Sequence, residues 1–133
     1  MNRLVAAEKL SDIFESYRQT PFEALLSYHN FRQPFPECSK AELLVSMCMD
    51  NRNQLHIPNN FAYILRSGGA NLRHNEFKVS YAVAVGGVRY LAIIAHSQCG
   101  MVNLHQRKEL FIEGLVSNAG CDREFAEDHF NQF

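Results

Sequence analysis

The chain has 133 residues, 47% apolar, 20% charged and 11% aromatic, with 13 basic and 14 acidic side chains and a formal net charge of −1. A chain of this size folding alone buries roughly two-thirds of its extended surface, enough for one core without disulfide staples. The balanced charge excludes the clustered Lys and Arg excess that nucleic acid or an acidic membrane would require, and the four cysteines are too sparse for a disulfide scaffold.

The first twenty residues mix charge into every turn, so they form neither a signal peptide nor a membrane span, and a cytoplasmic protein is expected. Leu4, Ala7, Leu10, Phe14 and Tyr17 recur at three- and four-residue steps, which predicts an amphipathic helix over 3–18. Thr20-Pro21-Phe22-Glu23 supplies an N-cap, a proline at the first helical position and a capping-box glutamate, so a second short helix should run to about His29. Gln33-Pro34-Phe35-Pro36 then breaks the chain. The expected organisation is a single domain over 1–133, with an N-terminal helical arm at 1–36 and an α/β core at 41–133.

After the break the pattern changes to short apolar runs at 43–49, 61–65 and 90–95. Being apolar throughout, they read as strands of a parallel sheet covered on both faces. Between the second and third, Phe77, Tyr81, Ala84 and Val85 form the stripe of a helix at 76–85 that Gly86-Gly87 would end. Strand, helix, strand is a βαβ crossover. Two further helices are expected, one with Leu104, Lys108, Phe111 and Leu115, and one opened by Cys121-Asp122 with Phe125, His129 and Phe130 on its apolar side. The fold class is α/β, a mostly parallel sheet of three to four strands flanked by helices.

The chemistry gathers at the carboxyl ends of these strands, the edge where ligands bind open parallel sheets. The first strand ends in Cys48-Met49-Asp50-Asn51-Arg52, and the third in His96-Ser97-Gln98-Cys99-Gly100. If the two strands are neighbours, Cys48, His96 and Cys99 converge as two thiolates and an imidazole, the donor set of a tetrahedral zinc site with one position open. A lone His-x-x-Cys is a weak signal, and a cysteine ending a buried strand is commonly a small apolar filler. Joint placement at two strand ends makes the metal reading the sharper one. A helix beginning near Gly100 would also turn its positive end to Cys99 and favour the thiolate.

Cys-x-Asp-x-Arg after an apolar strand, then Ser80-Tyr81-Ala82-Val83 and Gly87-Val88, then a strand ending in His-Ser-x-Cys-Gly, resembles the β-class carbonic anhydrases over about residues 41–103. The resemblance implies one Zn²⁺ per chain on Cys48, His96 and Cys99, with Asp50 and Arg52 as the dyad beside it. In that family the aspartate either takes the fourth zinc position or is held off by the arginine, and both remain open for Asp50. The implied activity is reversible hydration of carbon dioxide to bicarbonate by a zinc-bound hydroxide. Alternatives are hydrolysis of a related small molecule such as carbon disulfide, or a non-catalytic zinc-stabilised interaction module.

The sequence departs from the family at Asn51, where serine is usual, and at Arg66-Ser67-Gly68-Gly69-Ala70, where Arg-Asn-Ala-Gly-Asn is common. Ser67 and Gly68 in that loop, with Gly100 after Cys99, are the candidate substrate-binding residues. No strand-like run follows the last helix, so either a truncated chain or a partner covering that sheet edge is expected. The resemblance also implies a homodimer across which the N-terminal helix lies, and the apolar stripe of that helix points the same way. His29, His56, His74, His105 and His129 share no ligand spacing and read as surface or helix-face positions; Cys38 and Cys121 read as free thiols. Phe22, Phe31, Phe35, Phe61 and Tyr63 read as packing residues more than as pocket walls.

Overall fold

The structure, a computed structural model, describes residues 4–133. It is an α/β fold with a parallel three-stranded sheet, β1 (Leu43–Cys48), β2 (Ala62–Ser67) and β3 (Tyr90–Ile94), in the order β2-β1-β3. Its helices are α1 (Pro21–His29), α2 (Glu76–Ala84), α3 (Lys108–Ala119) and α4 (Arg123–Asn131). The chain divides into two compact units, Met1–Ser97 and Gln98–Phe133. No helix among the described residues is long and apolar enough to cross a membrane.

In the first unit β1 lies between both other strands, and every one of its six residues is buried. Alternation sends Leu43, Val45 and Met47 into one cluster with Leu25 of α1 and Phe61, and Leu44 into another with Ala82 of α2 and Val88. The expectation that all three strands are covered on both faces holds for β1 alone. Ile64 of β2 and Ile93 of β3 are exposed, Ile93 at 62%. The reason is geometric: β2 and β3 are edges, and α1 and α2, nine residues each, are only about 13 Å long.

α1 forms where its signals stand. Thr20 Oγ1 accepts the Phe22 N–H at 3.2 Å, Pro21 opens the helix, and the Glu23 carboxylate takes the Gln19 N–H at 2.6 Å and pairs with Arg18 at 3.0 Å. The helix expected over 3–18 does not form among the described residues, Arg3 lying outside them. Its place is taken by two single 3₁₀ turns, Leu10–Asp12 and Glu15–Tyr17. The Asp12 carboxylate accepts the N–H groups of both Glu8 and Lys9 at 3.0 Å, which starts a turn at Leu10, and Ile13 and Phe14 are extended. Periodicity without a surface to pack on is insufficient: Leu4 is 87% exposed, and the buried side chain is Ile13, which is off the expected stripe.

α2 occupies its expected range but turns the other way. Phe77, Tyr81, Ala84 and Val85 are exposed, Phe77 at 82%, while Ala82 and Val79 pack on Leu44. This helix is apolar around most of its circumference, so periodicity alone does not select a face. It ends as expected, with Gly87 at φ 70° and the Gly87 and Val88 N–H groups closing on the carbonyls of Val83 and Ala82.

In the second unit a 3₁₀ turn, Leu104–Arg107, leads into α3, which stops at Gly120 with φ 69°. Asp122 caps α4 by accepting the Phe125 N–H at 2.8 Å. Ala126 and Phe130 are the buried residues of α4, with Phe130 edge-on to Phe111. Phe125 is exposed and stacks on His129, so these two form an outer ring pair instead of core.

Candidate metal centre

Parallel register decides the site. Met47 pairs with Ile94 across β1 and β3, so the chain leaves both strands on the same edge, carrying Cys48 at one exit and His96 two residues beyond the other. The ligand atoms of Cys48, His96 and Cys99 lie within 4.8 Å of one another. Cys48 is buried and the other two are half-buried. Cys38 and Cys121 are free thiols outside this group.

His96 is set up for ligation. Its Nδ1 lies 2.8 Å from the Ser97 carbonyl oxygen. A carbonyl only accepts, so Nδ1 carries the proton and the lone pair of the neutral ring sits on Nε2. That Nε2 is buried and has no hydrogen-bond partner. The group acting most on the ring is the Cys48 side chain, which with the Ser97 carbonyl and the Asp50 charge raises the imidazole pKa against the effect of burial. An orphaned buried nitrogen beside two sulfurs suits a borderline-soft cation such as zinc, and fixing the ring through its other nitrogen is the usual outer-shell device.

Asp50 and Arg52 form one closed unit. Arg52 Nε donates to both carboxylate oxygens at 3.0 Å, its Nη2 donates to Oδ2, and its backbone N–H reaches Oδ1 at 3.0 Å. These hydrogen bonds, with the Arg52 charge and a lesser contribution from His96, hold the Asp50 carboxyl well below the usual carboxylate range. Both oxygens are therefore already engaged by arginine.

The loop after β2 starts beside Cys48. Cys48 and Ser67 are register partners, and the Met49 N–H donates to the Ser67 carbonyl at 2.9 Å. Ser67 Oγ donates to the Asn71 carbonyl at 2.6 Å. Gly68 opens a 3₁₀ turn through Ala70 in which Gly69 has φ 64°. The buried Ser46 hydroxyl reaches the Ala70 carbonyl at 3.1 Å, tying this loop to β1.

One expectation is overturned here: no helix begins at Gly100. A turn follows instead, with the Val102 N–H on the Cys99 carbonyl at 3.1 Å, and helical structure starts at Leu104. A helix N-terminus is thus not what faces Cys99. The cation near Gly100 is Arg107, whose Nη1 would lie 3.9 Å from a Cβ placed there.

Two contributors were given no role by the sequence, although Arg66 matches the arginine that opens the family's loop pattern. Arg66 donates from Nη1 to the Cys48 carbonyl at 2.9 Å and from Nη2 to the Asn53 carbonyl at 2.8 Å. Ser46 reads simply as a small residue in an apolar strand. Both bond to backbone carbonyls far away in sequence, which no local motif records.

Against known proteins, no family model matches this chain and no curated protein does. Among solved structures, a carbonic anhydrase from Glaciozyma antarctica superposes with a TM-score of 0.55 at 18% identity, covering 91% of this chain and 72% of that one. The likeness is one of fold. The group of two thiols and an imidazole stands apart from that comparison, being read from the arrangement of this chain's own side chains.

Proposed function

We propose that this chain is a β-class carbonic anhydrase that hydrates carbon dioxide reversibly to bicarbonate with one zinc ion held by Cys48, His96 and Cys99. The observation that carries the reading is the convergence of those three donors within 4.8 Å at the carboxyl edge of a parallel sheet. The fold likeness to a carbonic anhydrase supports it. Bound there, zinc would supply the Lewis acidity that makes water a nucleophile near neutral pH.

The protein's own groups do the rest. His96 offers a neutral lone pair because the Ser97 carbonyl holds the ring proton on Nδ1. Asp50, kept ionised by Arg52, is an acceptor only, so it orients a hydrogen-bond donor at the site and does not release a proton there. Engagement of both its oxygens by Arg52 favours this orienting role over service as a fourth ligand. Ser67 and Gly68 are the nearest wall on the β2 side, beside Cys48 in register.

Protons compete with metal for all three donors, so zinc affinity should rise with pH through the raised pKa of His96. The test is metal analysis of purified protein together with stopped-flow carbon dioxide hydration. One zinc per chain and hydration that rises toward alkaline pH are expected. Cys48→Ser should weaken zinc binding by more than about 100-fold, the upper cost of losing an outer-shell partner, and abolish hydration. Absence of zinc, stoichiometric zinc without hydration at any pH, or a Cys48→Ser variant retaining both would overturn the proposal.

A further inference from the structure

Arg66 stands on β2, outside the donor group, and is the residue opposite Met47 in the β1–β2 register. Its side chain forms no ion pair with a carboxylate among the described residues. The guanidinium instead spans two carbonyls, Cys48 at 2.9 Å and Asn53 at 2.8 Å. These are the first and last residues of the segment that carries Asp50 and Arg52. Within it the Asn53 N–H closes on the Asp50 carbonyl at 3.2 Å and the Arg52 N–H on Asp50 Oδ1 at 3.0 Å. One planar donor thus fastens both ends of the turn whose middle holds the carboxylate.

We infer that Arg66 is a positioning residue: by bridging the Cys48 and Asn53 carbonyls it fixes the direction of the Cys48 thiol and the place of the Asp50–Arg52 pair. A guanidinium suits the task because its donors diverge in a fixed plane and each can take a separate acceptor, whereas an ammonium is a single point charge. Hydrogen bonds from a charged donor to neutral carbonyls are stronger than those between neutral groups. Arg66 neither supplies a metal donor nor bonds to Asp50; it acts through the backbone. For catalysis the inference rests on the proposed carbonic anhydrase activity, but the positioning itself is a property of the protein without metal.

The test therefore has a metal-free arm and a metal-loaded arm, with Arg66→Ala and Arg66→Lys beside wild type. In the metal-free protein, amide hydrogen exchange at Arg52 and Asn53 should speed up about tenfold in Arg66→Ala, with Leu44 and Val45 unchanged as controls for global stability. In the cobalt-substituted protein the thiolate and ligand-field absorption bands should shift in Arg66→Ala, with metal affinity falling about 10- to 100-fold. kcat for hydration should fall more than KM rises, and Arg66→Lys should recover part of each effect through one of the two carbonyls. Unchanged exchange at Arg52 and Asn53, or a uniform rise that includes Leu44 and Val45, would overturn the positioning role. If wild type holds no metal or hydrates no carbon dioxide, the proposed function fails while the exchange arm still decides the role of Arg66.

Discussion

The turns leaving β1 and β2 start side by side, at Cys48 and Ser67 in register, and are held by opposite kinds of chemistry. The first is charged: Asp50 and Arg52 close on each other, and Arg66 reaches in from outside. The second, Ser67 through Asn71, contains no ionisable side chain and is held by hydroxyls on carbonyls, one of them the buried Ser46. On the proposed function, charge that takes part in the reaction must sit where water and substrate can reach it. A loop that supplies no charge is held best by neutral bonds into the core. Loss of a group in the first turn should therefore register in chemistry, and loss in the second in stability.

Apart from the metal donor Cys48, the largest expected effect is at Asp50. Asp50→Asn keeps the shape but removes the charge and places an amide donor against Arg52; hydration should fall about 10- to 100-fold with zinc content unchanged. A rise in activity would instead mark Asp50 as a group that closes the site. The pH dependence follows from the depressed Asp50 pKa. A depressed folded value means that the pair stabilises the fold above the unfolded pKa and loses that contribution only as pH falls through the lower folded value. Wild-type rate profiles should then show no Asp50 inflection across neutral pH, and an inflection that vanishes in Asp50→Asn would show that Arg52 does not hold the pair in solution.

In the neutral turn, Ser46→Ala removes the donor to the Ala70 carbonyl in a fully buried position and should cost about 1–2 kcal/mol in denaturant unfolding, with kcat within about twofold of wild type. A tenfold loss of kcat would erase the distinction between the two turns. The smallest effect is at Gly69, whose φ of 64° is disfavoured for residues with a Cβ. Gly69→Ala should destabilise by about 1 kcal/mol in the same measurement, and a neutral result would mean that the turn relaxes to another conformation.

Much of this was legible in the residues. The βαβ order, the capped helix from Thr20 and the convergence of Cys48, His96 and Cys99 all follow from short-range signals combined with one topological premise, that the first and third strands are neighbours. What was not legible depended on partners distant in sequence. Residues 4–18 have helical spacing, yet Leu4, Leu10 and Phe14 meet no core and remain exposed. Val79 and Ala82 were chosen over Phe77 and Tyr81 by the space beside Leu44, because a helix apolar on most sides takes the face that fits. The helix expected at Gly100 gives way to a turn, and Arg107 is the cation beside that glycine.

By itself, the sequence determined one small α/β chain with near-neutral charge, three apolar strands and a donor set able to take a soft divalent cation at their ends. Those properties are local: apolar runs, cap residues and ligand types act over a few positions. Tertiary structure alone decided that β1 is the central strand and hence fully buried, that the His96 lone pair sits on Nε2 among two sulfurs, and that Arg66 binds the two ends of the Asp50 turn. Each of those depends on which carbonyl or side chain comes within hydrogen-bonding reach after the strands align, and that distance is set by the packing of the whole sheet.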